Sequence, residues 1–315
     1  DKTAPVRTFT TIAVKTLLLL IPFFLSSCDA RNSVVENLTV MVVPTDGGTS
    51  DGAMADFQPL FDAVARDTGV TFKLSVGTSY ISVVEAMAAG KVDVAFFGPV
   101  SFLLAKERGA AELLAVGVRD GRSEYFSLLL ADPDSNIETV SDLVGSSVAF
   151  GDVNSTSSFN VPVKLLMDAG IDPPRDLGKV LILGNHSSAL QAVAAGTVDA
   201  AFASADSYER FLNNTANKAS DFKVIAKSKP IPYPPLAINP RLDYALKNKI
   251  RWSIHNIHKR AQDQSLQLRG YAGKPLDKFD AYYEEDAYVE SLSSVATVNT
   301  AVKEALIGRA LGDGS

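Results

Sequence analysis

The first clear apolar stretch beyond the leader, Leu38-Thr39-Val40-Met41-Val42-Val43, has the pattern of a buried strand and ends in a loop at Pro44-Thr45-Asp46-Gly47-Gly48. Residues 57–68 carry helical periodicity and stop at Gly69. Residues 71–76 read as a strand, 81–89 as a helix closed by Gly90, and 92–97 as a strand again. Further along, Val148-Ala149-Phe150 is a short strand, and the helix over 161–169 stops ahead of Gly170. This alternation predicts an α/β fold in which helices cover a parallel sheet.

The chain also repeats itself. A shift of 106 positions lays Ala86-Met87-Ala88-Ala89-Gly90-Lys91-Val92-Asp93-Val94-Ala95-Phe96 on Ala192-Val193-Ala194-Ala195-Gly196-Thr197-Val198-Asp199-Ala200-Ala201-Phe202. The shared pattern is a helix of small residues, a Gly cap and a strand, and one copy in each half implies two similar lobes. A solenoid is excluded, because its units run to about 20 to 50 residues. The same shift sets Tyr80 opposite His186, and Gly98-Pro99-Val100-Ser101-Phe102 opposite Ser204-Ala205-Asp206-Ser207-Tyr208. In an open α/β sheet, loops after the carboxyl ends of strands face the ligand crevice, so these paired loops are where a site is expected.

Two interruptions, Ala131-Asp132-Pro133-Asp134-Ser135-Asn136 and Lys229-Pro230-Ile231-Pro232-Tyr233-Pro234-Pro235, suggest two crossovers between lobes. The expected division is a signal over 1–28, a tether over 29–37, a first lobe over 38–131 plus 236–315, and a second lobe over 132–235. A length of 315 residues with 46% hydrophobic content suits two domains of about 150 residues each.

Thirty basic against 36 acidic residues leave a net charge of -6, which opposes binding to nucleic acid. An anion would have to be held by local design. At the N-terminus, Lys2, Arg7 and Lys15 precede an apolar run over 17–25 that is too short to span a bilayer and reads as an export signal. It ends in Leu25-Ser26-Ser27-Cys28, which resembles the bacterial lipobox and predicts lipidation of Cys28. Because Cys28 is the only cysteine, a disulfide framework and a thiolate metal cluster are both excluded.

Chemistry concentrates in Gly151-Asp152-Val153-Asn154-Ser155-Thr156-Ser157-Ser158-Phe159, between the strand at 148–150 and its helix. A hydroxyl-rich turn at a helix start directs backbone N–H groups, O–H donors and the positive helix end at one point, which makes an oxyanion cradle. Ser and Thr are also the preferred N-caps, so on these residues alone capping accounts for one hydroxyl and leaves the others to be explained. His186 is either a surface residue at a helix start or a hydrogen-bond donor to an anion, with one proton when neutral and two when protonated. Asp206 either caps the helix over 207–212 or accepts a hydrogen bond from a protonated ligand oxygen, which would favour such ligands over sulfate. His255 and His258 read as a solvated helix face, and no metal or cofactor is expected.

Taken in order, these pieces resemble the substrate-binding proteins of phosphate/phosphite/phosphonate ABC transporters over nearly all of the chain beyond the signal. The resemblance rests on Gly77-Thr78-Ser79-Tyr80 ahead of Val84-Glu85-Ala86-Met87, and on Val92-Asp93-Val94-Ala95-Phe96-Phe97-Gly98-Pro99. Tyr125-Phe126-Ser127, Ser141-Asp142-Leu143-Val144-Gly145 and Ser155-Thr156-Ser157 complete it. It implies a two-lobe, type II periplasmic-binding-protein fold whose lobes are mostly parallel sheets flanked by helices and joined by two hinge crossovers. It further implies that Ser155, Thr156 and Ser157 bind phosphorus oxygens with help from His186, and that Tyr80 and Tyr125 are site aromatics. A ring face suits a hydrogen or methyl on phosphorus better than a fourth charged oxygen. Two departures stand out. Ser158 replaces a common Gly, and residues 230–235 offer Tyr233 but no acid for an ammonium group.

The expectation is a monomeric, lipid-anchored periplasmic binding protein. It would capture phosphite, methylphosphonate or a related phosphorus oxyanion such as phosphate, and deliver it to an ABC permease. Another organic or sulfur anion on the same fold is the second reading. A hydrolase is the third, but the chain has no G-x-S-x-G elbow, Walker lysine loop or H-E-x-x-H motif.

Overall fold

The computed structural model describes residues 1, 3, 4, 36–46, 50–260, 266–293 and 298–313. The expected export signal apart from residues 1, 3 and 4, Cys28 with it, and all but the end of the tether lie outside the described residues. The described residues from 36 to 313 pack as one unit, built as two lobes around two separate sheets.

The first lobe begins with β1 (Asn37–Val42), α1 (Ser50–Thr68), β2 (Thr71–Val76), α2 (Tyr80–Ala88), β3 (Val94–Phe96), α3 (Pro99–Glu107), β4 (Glu112–Val118) and the short β5 (Glu124–Tyr125). The second follows with β6 (Ser127–Ala131), β7 (Val148–Phe150), α4 (Val161–Asp168), α5 (Pro173–Asp176), β8 (Val180–Ile182), α6 (His186–Ala194), β9 (Ala200–Ser204), α7 (Ala205–Asn214) and β10 (Lys223–Lys227). A return through β11 (Ile231–Pro232), β12 (Pro235–Ile238), α8 (Tyr244–Asn256), β13 (Lys278–Asp280) and α9 (Glu285–Ser291) completes the first lobe. The last helix, α10 (Thr300–Asp313), packs on β8 and α5 of the second.

The sheets have orders β13-β4-β12-β3-β1-β2 and β10-β6-β9-β7-β8. β1 runs parallel to β2 and β3, and β7 runs parallel to β8 and β9. The strand beside β3 or β9 is antiparallel in both sheets, β12 in one and β6 in the other. Every residue of β3, β6, β7 and β9 is buried, as strands covered on both faces require. In the second sheet Leu129, Phe150 and Phe202 point to one apolar cluster, and Leu128, Leu130, Ala149 and Ala201 to the other, the two-residue alternation of a strand.

The sequence repeat is also a structural one. Gly90 and Gly196 adopt φ of +69° and +64° just past α2 and α6, a conformation that side chains with a Cβ resist. The repeated aspartates tie neighbouring strands together. Asp93 Oδ2 accepts from Thr39 N and Oγ1 at 2.8 and 2.9 Å, and Asp199 Oδ2 accepts from Ser147 N and Oγ at 2.7 and 2.6 Å.

The lobe boundaries differ from the expected ones. The chain crosses before Ser127, because Ser127-Leu128-Leu129-Leu130-Ala131 is the buried antiparallel strand between β9 and β10, and Asp132-Pro133 is only the turn leaving it. β5 and β11 pair antiparallel through Glu124, Tyr125, Ile231 and Pro232 and form a hinge ribbon. The stretch after α9 does not stay with the first lobe, since Val298 and Leu306 join the second lobe's core. Helix α1 also starts earlier than expected, at Ser50, and contains Pro59. Its interior proline is tolerated because Phe57, Leu60, Phe61 and Val64 are all buried in the same face.

Candidate binding site

Five helices start at the cleft between the lobes, and each start makes a hydrogen bond across it. Tyr80 N of α2 donates to Asp152 Oδ2 at 3.3 Å. Val100 N of α3 donates to Thr156 Oγ1, in the turn before α4, at 2.9 Å. His186 N of α6 donates to Thr45 O at 3.1 Å. At α7, Ser204 and Ser207 hydrogen-bond through their hydroxyls to the Tyr271 hydroxyl at 2.8 and 2.9 Å. The cleft therefore collects helix first turns, with their N–H donors and positive dipole ends, from both lobes.

The turn before α4 is wound wide: Asn160 N reaches back to Ser155 O at 3.1 Å, and the Val161 N–H reaches Thr156 O. Such wide turns recur at functional sites. Asn160 Nδ2 holds the turn by donating to Ser155 O at 2.7 Å and Val153 O at 3.2 Å. Ser155 is the cap, its Oγ accepting from Ser158 N at 3.2 Å. The other two hydroxyls turn toward the first lobe. Thr156 Oγ1 takes the Val100 N–H, and the Tyr125 hydroxyl faces the Thr156 and Ser157 side chains. The Tyr80 hydroxyl meets Ser155. Burial pushes both phenols above their ordinary range, so each keeps its proton as a donor. Ser158, the departure noted in the sequence, fits because residue 151 is glycine. A Cβ there would fall 2.1 Å from the Ser158 Oγ, which is buried and unpartnered among the described residues.

All seven residues singled out in the sequence, Tyr80, Tyr125, Ser155, Thr156, Ser157, His186 and Asp206, are 5% exposed or less. His186 differs from the reading of a histidine open to either charge. Desolvation lowers its pKa to about 3, so the ring is neutral. Nδ1 accepts from Ser204 N at 3.1 Å, which leaves the proton on Nε2 to face the Tyr271 hydroxyl at 3.1 Å. Both ring nitrogens are thus engaged within the protein.

Asp206 does not cap α7, because Ser204 Oγ takes the Ser207 N–H at 3.0 Å. Instead its Oδ1 pairs with Arg119 Nη1, across the cleft, at 2.9 Å. Its Oδ2 is buried without a hydrogen-bond partner among the described residues.

Sequence reasoning missed Arg119, Asp152, Tyr271 and the placement of Tyr233. Asp152 was visible inside the turn as an acid where an anion was expected. It joins the turn to the other lobe, with Oδ1 accepting from Asn154 N at 2.7 Å while Oδ2 holds Tyr80 N across the cleft. Tyr271 carries no sequence signal, and Tyr233 stood out only as the aromatic of residues 230–235. They meet only in space, where Tyr271 N donates to the Tyr233 hydroxyl at 2.8 Å. Beyond His186 the cleft continues as a cavity of about 270 Å³ bordered by Thr45, Asp46, Ser187, Arg210 and Phe211. Arg210 crosses to Asp56 at 2.5 Å and Asp46 at 3.4 Å.

His255 lies away from this cleft, its Nδ1 accepting from Ala281 N at 3.4 Å and its ring edge-on to Tyr282. Among the described residues, no group of three His, Cys, Asp or Glu is placed to hold a metal ion.

Residues 44–280 match the family described as ABC transporter, phosphonate, periplasmic substrate-binding protein. The chain belongs to that family. A phosphate-import protein of Mycolicibacterium smegmatis is 31% identical over 198 residues, 60% of each chain. The phosphonates-binding periplasmic protein of Escherichia coli is 28% identical over 220 residues, 68% of this chain and 65% of that one. The matches thus span less than two thirds of these relatives' length. A Prochlorococcus marinus protein solved in complex with methylphosphonate shares the fold with a TM-score of 0.68 and 19% identity, over 88% of this chain and 99% of that one. The two-lobe periplasmic-binding-protein fold expected from the sequence is therefore present. The phosphonate-binding family is periplasmic, and among the described residues no helix is long and apolar enough to cross a membrane.

Proposed function

We propose that this member of the phosphonate-binding family captures phosphite or a small phosphonate such as methylphosphonate between its lobes and delivers it, as a monomer, to an ABC permease. The observation that carries the reading is the convergence of Tyr80 and Tyr125 from one lobe on Ser155, Thr156 and Ser157 of the other. Hydroxyls and helix N–H groups there supply neutral donors for the charged oxygens. The tyrosine rings supply a surface for the substituent that is not oxygen. Asp206 Oδ2, buried and without a partner among the described residues, would accept a hydrogen bond from a protonated ligand oxygen. His186, with both nitrogens engaged, acts at one remove by orienting Tyr271 and Ser204. The lobes that close are residues 36–125 with 231–293, and residues 127–227 with 298–313.

Titration calorimetry against phosphite, methylphosphonate, phosphate, hypophosphite and sulfate tests this reading. Tight saturable binding of the first two, with sulfate rejected, is the expected result. Turnover of a phosphonate with release of product would overturn it. The name of the mycobacterial relative favours phosphate as a second reading, and preference for phosphate over phosphite would select it.

Anchoring through a lipid on Cys28 belongs to the same proposal and rests on the lipobox at Leu25-Ser26-Ser27-Cys28. Detergent partitioning of the exported protein, with Cys28→Ala moving it to the aqueous phase, is the check.

A further inference from the structure

We infer that Arg119 is a specificity-determining residue, an internal cation that occupies the site's acid and excludes ligands whose substituent on phosphorus carries a positive charge. The inference rests on the proposed capture of a phosphorus oxyanion.

Arg119 follows β4 in the first lobe, and its guanidinium crosses the cleft to Asp206 Oδ1 at 2.9 Å. The Asp206 side chain is 7% exposed and that of Arg119 27%, so the acid end of the contact is largely desolvated. Asp206 also starts its helix beside the cradle: Ala205 N donates to Phe126 O at 2.9 Å, next to Tyr125, and Ser127 Oγ donates to Ser157 O at 2.6 Å. The Tyr125 hydroxyl is the one that meets Thr156 and Ser157. A ligand held by the turn therefore lies beside the Arg119–Asp206 pair, and a charged substituent on it would meet both charges.

A buried carboxylate without a partner would recruit an ammonium group, because an uncompensated charge in a dry site is costly. Arg119 supplies that compensation from within the protein, with a group that stays charged at every relevant pH. A ligand ammonium would meet a carboxylate already paired on one oxygen and a guanidinium of its own sign. A hydrogen, a methyl group or a short alkyl chain meets neither penalty. One oxygen, Oδ2, stays open to a neutral donor such as a ligand hydroxyl.

Ethylphosphonate and aminomethylphosphonate form a matched pair of probes, with the same number of heavy atoms and a terminal methyl replaced by ammonium. Calorimetry of the full-length protein should show ethylphosphonate binding about tenfold or more tightly than its charged counterpart. Arg119→Met should move that ratio toward the ammonium ligand by at least about tenfold. Arg119→Lys, which keeps the charge, should retain the wild-type order. Should Arg119→Met fail to fold, Arg119→Met with Asp206→Asn removes both charges and should bring the ratio near unity.

Equal wild-type affinities for the two probes would overturn the inference. So would an unchanged ratio in Arg119→Met while ethylphosphonate still binds, and that result leaves the binding reading intact. Binding of no phosphorus ligand at all, methylphosphonate included, would remove the proposed function and this inference with it.

Discussion

Thr156 sits where the lobes touch, its hydroxyl oxygen taking the Val100 N–H while the Tyr125 hydroxyl approaches from the hinge. Thr156→Ala should weaken phosphite or methylphosphonate binding by about 1.5 to 3 kcal/mol, roughly tenfold to over a hundredfold, and calorimetry reads it directly. Gly151→Ala should also lower affinity and thermal midpoint, because the new Cβ would lie 2.1 Å from Ser158 Oγ. Adding Ser158→Gly removes that clash and should restore most of both. His186 sets a pH dependence. Its pKa is about 3 in the folded protein against an ordinary 6.5, so between these values the unfolded chain takes up a proton that the folded one refuses. Stability should therefore fall as pH drops through that window. Burial raises the carboxyls of Asp46 and Asp152, which act in the opposite sense, so the measure is the difference in melting-temperature slope between wild type and His186→Gln. At this scale the hydroxyl turn was legible because its members are consecutive. Arg119 and Tyr271 were not, since each is one residue reaching the site from a distant part of the chain.

Among the elements, the repeat was the most informative sequence feature, because equivalent caps, strands and loops follow from it. Ser79 and Asn185 cap α2 and α6, one at each end of the 106-residue shift, and Gly98 and Ser204 begin α3 and α7 in the same relation. The paired aspartates make a prediction for each lobe. Asp93→Ala or Asp199→Ala removes two charge-assisted bonds to the neighbouring strand and should cost about 2 to 4 kcal/mol, measured by denaturant unfolding. What the pattern concealed was the place of β6. A run of five buried residues followed by Asp132-Pro133 marks a strand end equally well in either lobe. Only pairing with β9 and β10 decides between them.

For the whole molecule, closure is reinforced by charges gathered on one face of α7. Asp206 pairs with Arg119, Glu209 with Lys274, and Arg210 with Asp46 and Asp56, every partner lying on the opposite lobe. Arg210 is largely buried, so it should matter more than the exposed Glu209 pair. Arg210→Ala should speed ligand release several-fold, seen by stopped flow, and raise the radius of gyration in solution scattering.

The helix α10 brings a consequence of timing. Val298 and Leu306 fill the second lobe's core, and Arg309 Nη1 donates to Pro174 O at 2.6 Å. Residues 127–227 are a continuous stretch, yet their lobe is incomplete until residues some seventy positions further on have been made. The first lobe likewise waits for β12, β13 and α9. Neither lobe's core is complete until nearly the whole chain has been made, an order that suits a polypeptide passing unfolded through a narrow export channel.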